Sequence, residues 1–349
     1  MISVARTLAF DVLLLVESGG YASDLLFIRS AALDSRDAGL ASEIVLGVLR
    51  FQSQLDFLID YYAGKKARLD MEVRIALRMG IYQLRYLERV PAHAAIHESV
   101  ELIKRARKRS AAGFANAVLR KVDRSEVAWP SREIELAHPA WLLERWDRQF
   151  GVETATAIAR ANLRRPETYV RGGRIQDIGS QSIVPLLHLE RGQTFLDVCA
   201  APGNKTAQAL EAGVRVIACD FHASRLTPMK PLGIDLVALD ARQPLPFRRR
   251  FDRILVDAPC TGTGTLAHNP EIKWRLRPVD IERMREIQTQ ILHQAIEALA
   301  PGGRLVYSTC SLETEENEGV VGDLAVRVMR RIPGRDEGDG FFGAVIESR

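Results

Sequence analysis

TFLDVCAAPGNKTAQALEAG, Thr194 to Gly213, is the stretch that decides the fold. TFLDVCA is a short apolar run of strand character. The small residues and glycine of AAPG let the backbone turn tightly. NKTAQALEAG then opens a helix at about Asn204. The same alternation continues outward. Apolar runs follow in VRVIACD, IDLVALDA, FDRILVDAPC and GRLVYSTC, with helical segments near HASRLTPMK and through VDIERMREIQTQILHQAIEALAPGG between them. Strands alternating with crossover helices predict an α/β domain on a parallel sheet. A last helix, TEENEGVVGDLAVRVM, and a last strand, GAVIES, are expected to close it.

In open α/β sheets ligands gather at the carboxyl ends of the strands, so the residues ending each run matter most. The first run ends in DVCAAPGNKT, a turn onto a helix start with free N–H groups. Its spacing is neither the GxGxxG of dinucleotide enzymes nor the GxxxxGKT of phosphate-loop enzymes, which argues against a dehydrogenase. The second run ends in Asp220 and the third in Asp240. An acid at the second strand tip suits a ribose hydroxyl pair. An acid one strand further can accept from an adenine amino group. Together they predict an adenosine-containing cofactor. The fourth run ends in Asp257-Ala258-Pro259-Cys260 and the fifth in Ser308-Thr309-Cys310-Ser311. Cys199 and Cys219 lie inside runs, where cysteine is commonly packing. Two thiols at neighbouring strand tips, Cys260 and Cys310, suggest covalent catalysis.

The first third of the chain has a different period. Apolar residues recur every three or four positions in TLAFDVLLLVE, ASEIVLGVLRFQSQLDFLIDYYA and MEVRIALRMGIYQLRYL, the mark of amphipathic helices. Ser23–Asp24, Asp34–Ser35 and Asp70 are the expected helix starts. Three regions follow: an all-α domain over 1–125, a proline-containing connector over 126–182 with one helix in PAWLLERWDRQFG, and the α/β domain over 183–349. The Trp141/Trp146 pair of that helix reads as packing.

The bulk numbers fit this reading. In 349 residues, 47% hydrophobic and 26% charged, there is enough chain for several domains and a large core. No apolar run nears the roughly 20 residues needed to span a bilayer. The N-terminal apolar run lacks a basic start and a cleavage site, so a folded helix is expected, not a signal peptide. Four cysteines without a CxxC pair or zinc spacing predict free thiols, a reducing cytoplasm and no metal. The net charge is +4, but Ile103 to Arg124 alone carries eight Lys/Arg and one acid, the footprint of a phosphate-binding surface.

DVCAAPGNKT, VDAPCTGTG, HNPEIKW and YSTCSLETEEN together resemble the S-adenosylmethionine-dependent RNA cytosine-5 methyltransferases, in bacteria the RsmB, Fmu or Sun enzymes of small-subunit ribosomal RNA. AAIHESVELIKRARKRSAAGFANAVLRKV resembles the NusB-like RNA-binding domain carried in front of that catalytic domain. The resemblance runs to GDGFF, Gly338 to Phe342. It implies a Rossmann-like domain with a mostly parallel seven-stranded sheet, S-adenosyl-L-methionine as cofactor, ribosomal RNA as partner, and a cytoplasmic monomer without metal. It implies Cys310 as the nucleophile adding to carbon-6 of cytosine, Cys260 as the thiol that helps remove the carbon-5 proton, and Asp257 at the pyrimidine edge. The cofactor set is Cys199, Ala200, Ala201, Pro202, Gly203, Asn204, Lys205, Asp220, Asp240 and Asp257. Lys104, Arg105, Arg107, Lys108, Arg109 and Lys273 are the expected RNA contacts, and Lys205 and Lys273 are candidate cations for thiolate formation. Phe341 and Phe342 fit either the core or the side of the site.

Two departures bear on function. Asn204 stands where such enzymes usually have glycine; asparagine tolerates positive φ. NLRRPETYVRGGRIQDIGSQS, Asn162 to Ser182, leaves little room for the αβ RNA-binding subdomain that usually precedes the first motif. The competing expectation is therefore an RNA-binding or ribosome-assembly factor with a degenerate catalytic domain.

Overall fold

The computed structural model describes residues 2–64, 66 and 68–348. The chain forms two compact units, Met1–Arg165 with Ala267–Trp274, and Pro166–Leu266 with Arg275–Arg349. Among the described residues, no helix is long and apolar enough to cross a membrane.

The first unit is helical. Its principal helices are Val4–Glu17, Ala22–Ser30, Ser35–Arg50, Gln52–Ala63, Met71–Tyr86, Ala92–Arg105 and Ala112–Leu119. The apolar stripes meet in one core that includes Phe10, Leu13, Ile44, Leu55, Leu58, Leu77 and Leu119. Asp34 caps its helix by accepting from Asp37 N at 2.8 Å, and Asp70 precedes Met71 as expected. The start expected at Ser23–Asp24 moves to Ala22. The reason is tertiary: Glu271, far along the chain, accepts from Ala22 N at 2.9 Å and takes an otherwise orphan helix donor.

The helical unit does not stop at 125. Helices Ala140–Phe150 and Val152–Asn162 belong to it. Trp146 is fully buried against the His138 ring, so this part of the presumed connector is core. The second unit takes over at Pro166 and opens with a hairpin of β1 (Val170–Arg171) with β2 (Arg174–Ile175), and one helical turn, Ile178–Gln181.

The second unit is built on a seven-stranded sheet: β3 (Thr194–Asp197), β4 (Arg215–Asp220), β5 (Asp235–Ala238), β6 (Phe251–Asp257), β7 (Leu299–Thr309), β8 (Arg327–Arg331) and β9 (Phe341–Glu347). The order is β5-β4-β3-β6-β7-β9-β8. The pairs from β5 to β7 are parallel, and β9 is antiparallel to both β7 and β8. The five expected runs are all strands, and the long helix is Pro278–Glu297. The expected last helix is not continuous. It resolves into short turns at Thr314–Glu316, Glu318–Val321 and Gly322–Leu324 before β8. Pairing of β8 covers the edge that β9 would otherwise leave open.

Candidate active site

The sheet order reverses between β3 and β6, which places a crevice over their carboxyl ends. The turn after β3 is stitched to both neighbours. Val198 N donates to Leu255 O and Ala200 N to Cys219 O, at 2.9 and 2.7 Å. Gly203 takes φ +101°, and a Cβ there would lie 2.8 Å from Met229 Cγ, so glycine is required on two counts. Asn204 is not the residue with positive φ. It opens the helix Asn204–Leu210, and its amide donates to Ile175 O at 2.9 Å. The substitution therefore leaves the turn intact.

A cavity of about 580 Å³ opens beside this turn, lined by Cys199, Ala201, Asp220, Asp240, Asp257, Cys260 and Cys310, with apolar walls from Leu239, Ile287 and Ile291. Both strand-tip acids and both strand-tip thiols thus face one space. A smaller cavity of about 90 Å³ is lined by Asp197, Ala200, Pro202, Asn204, Lys205 and Asp257. Asp220 accepts from His222 N at 3.0 Å. Asp240 accepts from the Arg242 guanidinium at 2.7 to 3.2 Å, and these bonds hold its carboxyl below the usual carboxylate range. Arg242 was not legible as a site residue.

Register aligns Asp257 of β6 with Ser308 of β7. The two cysteine turns therefore leave adjacent strands side by side, and the Cys260 and Cys310 sulfurs are 3.3 Å apart. Hydrogen bonding to Cys310, then burial, then the nearby Cys310 and Glu316 charges push the Cys260 thiol well up. Asp257 is held on both oxygens: Lys205 Nζ lies 2.6 Å from Oδ2, and Ser308 Oγ donates to Oδ1 at 2.8 Å. Lys205 also sits 5.2 Å from the Phe341 ring centroid. Phe341 and Phe342 are both buried.

Cys219 is buried, with its thiol pushed up to about 12, mainly by burial. Burial likewise pushes Cys199 well up. Neither is a ready thiolate, although Cys199 lines both cavities. Two further acids were missed. Burial pushes Asp197 up to about 7, against a hydrogen bond from Thr206 Oγ1 at 2.6 Å. Burial does the same to Glu316, also to about 7. The available signal was position: Asp197 opens the first motif, and Glu316 lies just behind the Thr-Cys-Ser motif.

The turn after Pro259-Cys260 is locked to the end of the chain. Gly264 N donates to Cys310 O at 2.9 Å, and Gly340 N to Gly264 O at 2.8 Å. A Cβ on Gly264 would lie 2.4 Å from Gly340 O. TGTG and GDGFF are thus two halves of one tight contact.

The structure corrects Lys273 and refines the other expected RNA contacts. Lys273 is fully buried in the helical unit, where Nζ donates to Arg50 O at 2.9 Å and burial pushes its pKa well down. Its ammonium is thus shielded from solvent within the helical unit, against the expectation of an exposed RNA contact. The expected basic face is partly spent on ion pairs: Lys104 with Glu101, Arg105 with Asp11, and Lys108 with Asp70. Arg107 and Arg109 are exposed and form no ion pair among the described residues.

Comparison with known proteins agrees with this organisation. Residues 184–328 match the family described as 16S rRNA methyltransferase RsmB/F. Residues 3–124 match the NusB family. The chain is 30% identical over 387 aligned residues to the probable ribosomal RNA small subunit methyltransferase B of Bacillus subtilis (strain 168), covering 90% of this chain and 87% of that protein. It is 31% identical over 417 aligned residues to ribosomal RNA small subunit methyltransferase B of Klebsiella pneumoniae (strain 342), covering 96% and 95%. Among solved structures, that of PH0851 covers 100% of both chains with a TM-score of 0.79 at 20% identity, a likeness of fold.

Proposed function

The chain belongs to the ribosomal RNA small subunit methyltransferase B family, and on that premise we propose that it methylates carbon-5 of a cytosine in small-subunit ribosomal RNA through a covalent cysteine–cytosine adduct. Methyl transfer to ribosomal RNA is the activity of the family, and S-adenosyl-L-methionine is its cofactor. When bound, that cofactor supplies an electrophilic methyl group on a sulfonium. The residues present fit it: a glycine turn that a Cβ would fill, two acids at successive strand tips, and an apolar-walled cavity between them and the thiols.

The observation that carries the reading is the pair of sulfurs at 3.3 Å in the cavity that also holds Asp220, Asp240 and Asp257. Carbon-5 of cytosine is a poor nucleophile. Addition of the Cys310 thiolate at carbon-6 makes it enamine-like and able to accept a methyl group. Attack requires the negative charge on Cys310, and the Cys260 sulfur lies 3.3 Å away, close enough for its thiol to hydrogen-bond that thiolate. Asp257, oriented by Lys205 and Ser308, meets the pyrimidine edge. Once Cys310 is a thioether, the largest influence holding the proton on Cys260 is gone. Cys260 then gives its own proton to solvent and, as the thiolate, takes the carbon-5 proton; the C–H electrons form the 5,6 double bond and Cys310 leaves carbon-6 as a thiolate. A cytosine in a helical stem must first be flipped out, whereas a loop base is already accessible. Arg107 and Arg109 offer phosphate contacts on the NusB-like unit.

The test is transfer of labelled methyl groups from S-adenosyl-L-methionine to protein-free small-subunit ribosomal RNA, with protein–RNA adducts read on denaturing gels. Wild type is expected to transfer, Cys310→Ala to do neither, and Cys260→Ala to trap an adduct. An adduct trapped by Cys310→Ala instead would reverse the two roles. Cofactor binding without transfer to naked RNA or to partly assembled subunits would favour the RNA-binding-factor reading.

A further inference from the structure

The segment behind the Thr-Cys-Ser motif has no part in the mechanism above, yet two adjacent residues in it reach the two cysteine turns separately. Asn317 brackets Cys310: Oδ1 accepts from Thr309 Oγ1 at 2.6 Å, and Nδ2 donates to Ser311 O at 2.9 Å. Glu316 holds the residue after Cys260. Its carboxylate accepts from Thr261 N at 3.0 and 3.1 Å and from Thr261 Oγ1 at 3.1 Å. Both side chains are buried, and Tyr307 OH donates to Glu316 O at 2.6 Å, tying the segment to β7. Glu316 forms no ion pair among the described residues.

We propose that Glu316 and Asn317 are positioning residues for the two thiols, Asn317 acting through Cys310 in the attack and Glu316 acting through Cys260 in the release. This rests on the two-thiol reading. It makes a distinctive demand: neighbouring residues in one turn must give opposite adduct phenotypes, which a general loosening of the site would not do.

The experiment measures single-turnover methyl transfer, steady-state kcat and KM for RNA, and the adduct on denaturing gels, with full-length protein and S-adenosyl-L-methionine. Asn317→Ala is expected to lower kcat by about a hundredfold without adduct, the scale of a displaced reacting group. Glu316→Ala is expected to lower kcat comparably while adduct accumulates. KM for RNA should stay within about twofold in both, because neither side chain contributes uniform substrate binding. Glu316→Gln, which keeps an acceptor for Thr261, should recover most of the lost turnover. Should either alanine variant fail to bind cofactor, Glu316→Asp and Asn317→Asp are read by the same criterion. Adduct in both variants, adduct in neither, or near-normal turnover in Glu316→Ala overturns the proposal. Cys260→Ala runs beside them. If it traps no adduct, the two-thiol reading has failed and takes the inference with it; if it does and Glu316→Ala does not, only the inference fails.

Discussion

Lys205 Nζ and Asp257 Oδ2 are 2.6 Å apart, and the bond joins the first motif to the fourth strand. The lysine lies one residue into a helix, and the aspartate ends β6. Neither sequence stretch implies the other. With Ser308 on its second oxygen, Asp257 has one orientation. Preorganised groups of this kind carry much of a catalytic effect. Lys205→Met should lower single-turnover methyl transfer by about a hundredfold, the scale of losing one preorganised polar group. Ser308→Ala should cost much less, because the lysine still orients the carboxylate. Equal losses in the two variants would argue against the ion pair as the main determinant.

Gly203→Ala tests the turn. Positive φ alone costs of order 1–3 kcal/mol in a non-glycine residue, and the new Cβ would also press on Met229. Calorimetry should show cofactor affinity falling by about tenfold or more, with a lower melting temperature. Unchanged affinity would mean that the turn does not shape the cofactor site.

Asp197 makes a pH prediction. Its carboxyl ionises near 7 in the folded protein because it is buried, against about 3.9 in an unfolded chain. Between those values the unfolded chain binds fewer protons, so stability falls as pH rises from about 4 to about 7 and is level above. Glu316 contributes with the same sign. Asp197→Asn removes one of the two slopes. Its melting temperature relative to wild type should rise from pH 5 to pH 8, and a constant difference would show that the aspartate is already ionised in the folded state.

RNA binding should divide the cations. Arg107→Ala and Arg109→Ala are each expected to weaken binding and to reduce the slope of log affinity against log salt by about 1, one phosphate contact apiece. Lys273→Met should leave both quantities unchanged, because that ammonium is buried against Arg50 O. A loss of slope in Lys273→Met would mean that the residue becomes accessible when RNA binds.

Much of this molecule is local, and local features read well. Strand-turn-helix alternation from Thr194 onward, the helical period of residues 4 to 87 and the acids at Asp220 and Asp240 follow from side-chain pattern and strand length. The pairing of Cys260 with Cys310 was legible because both end apolar runs, and in a parallel sheet run ends share an edge. Three expectations failed where distant chain intervened. The helix start at Ala22 depends on Glu271, 249 residues away. Lys273 is a cation in a motif-like stretch, and only packing reveals that it is buried. The last three residues of TEENEGVVGDLAVRVM, Arg327 to Met329, pair with β9 although their own pattern does not demand a strand.

The sequence by itself determined the helical and α/β patterns, the turn after the first strand of the sheet and which side chains stand at the strand tips, because each depends on residues close together in the chain. Tertiary structure alone decided that the two sulfurs lie 3.3 Å apart, which groups hold each oxygen of Asp257, and which basic residues form ion pairs. Those depend on distances of about 3 Å between groups tens to hundreds of residues apart, and hydrogen-bond and ion-pair energies fall off over such short distances.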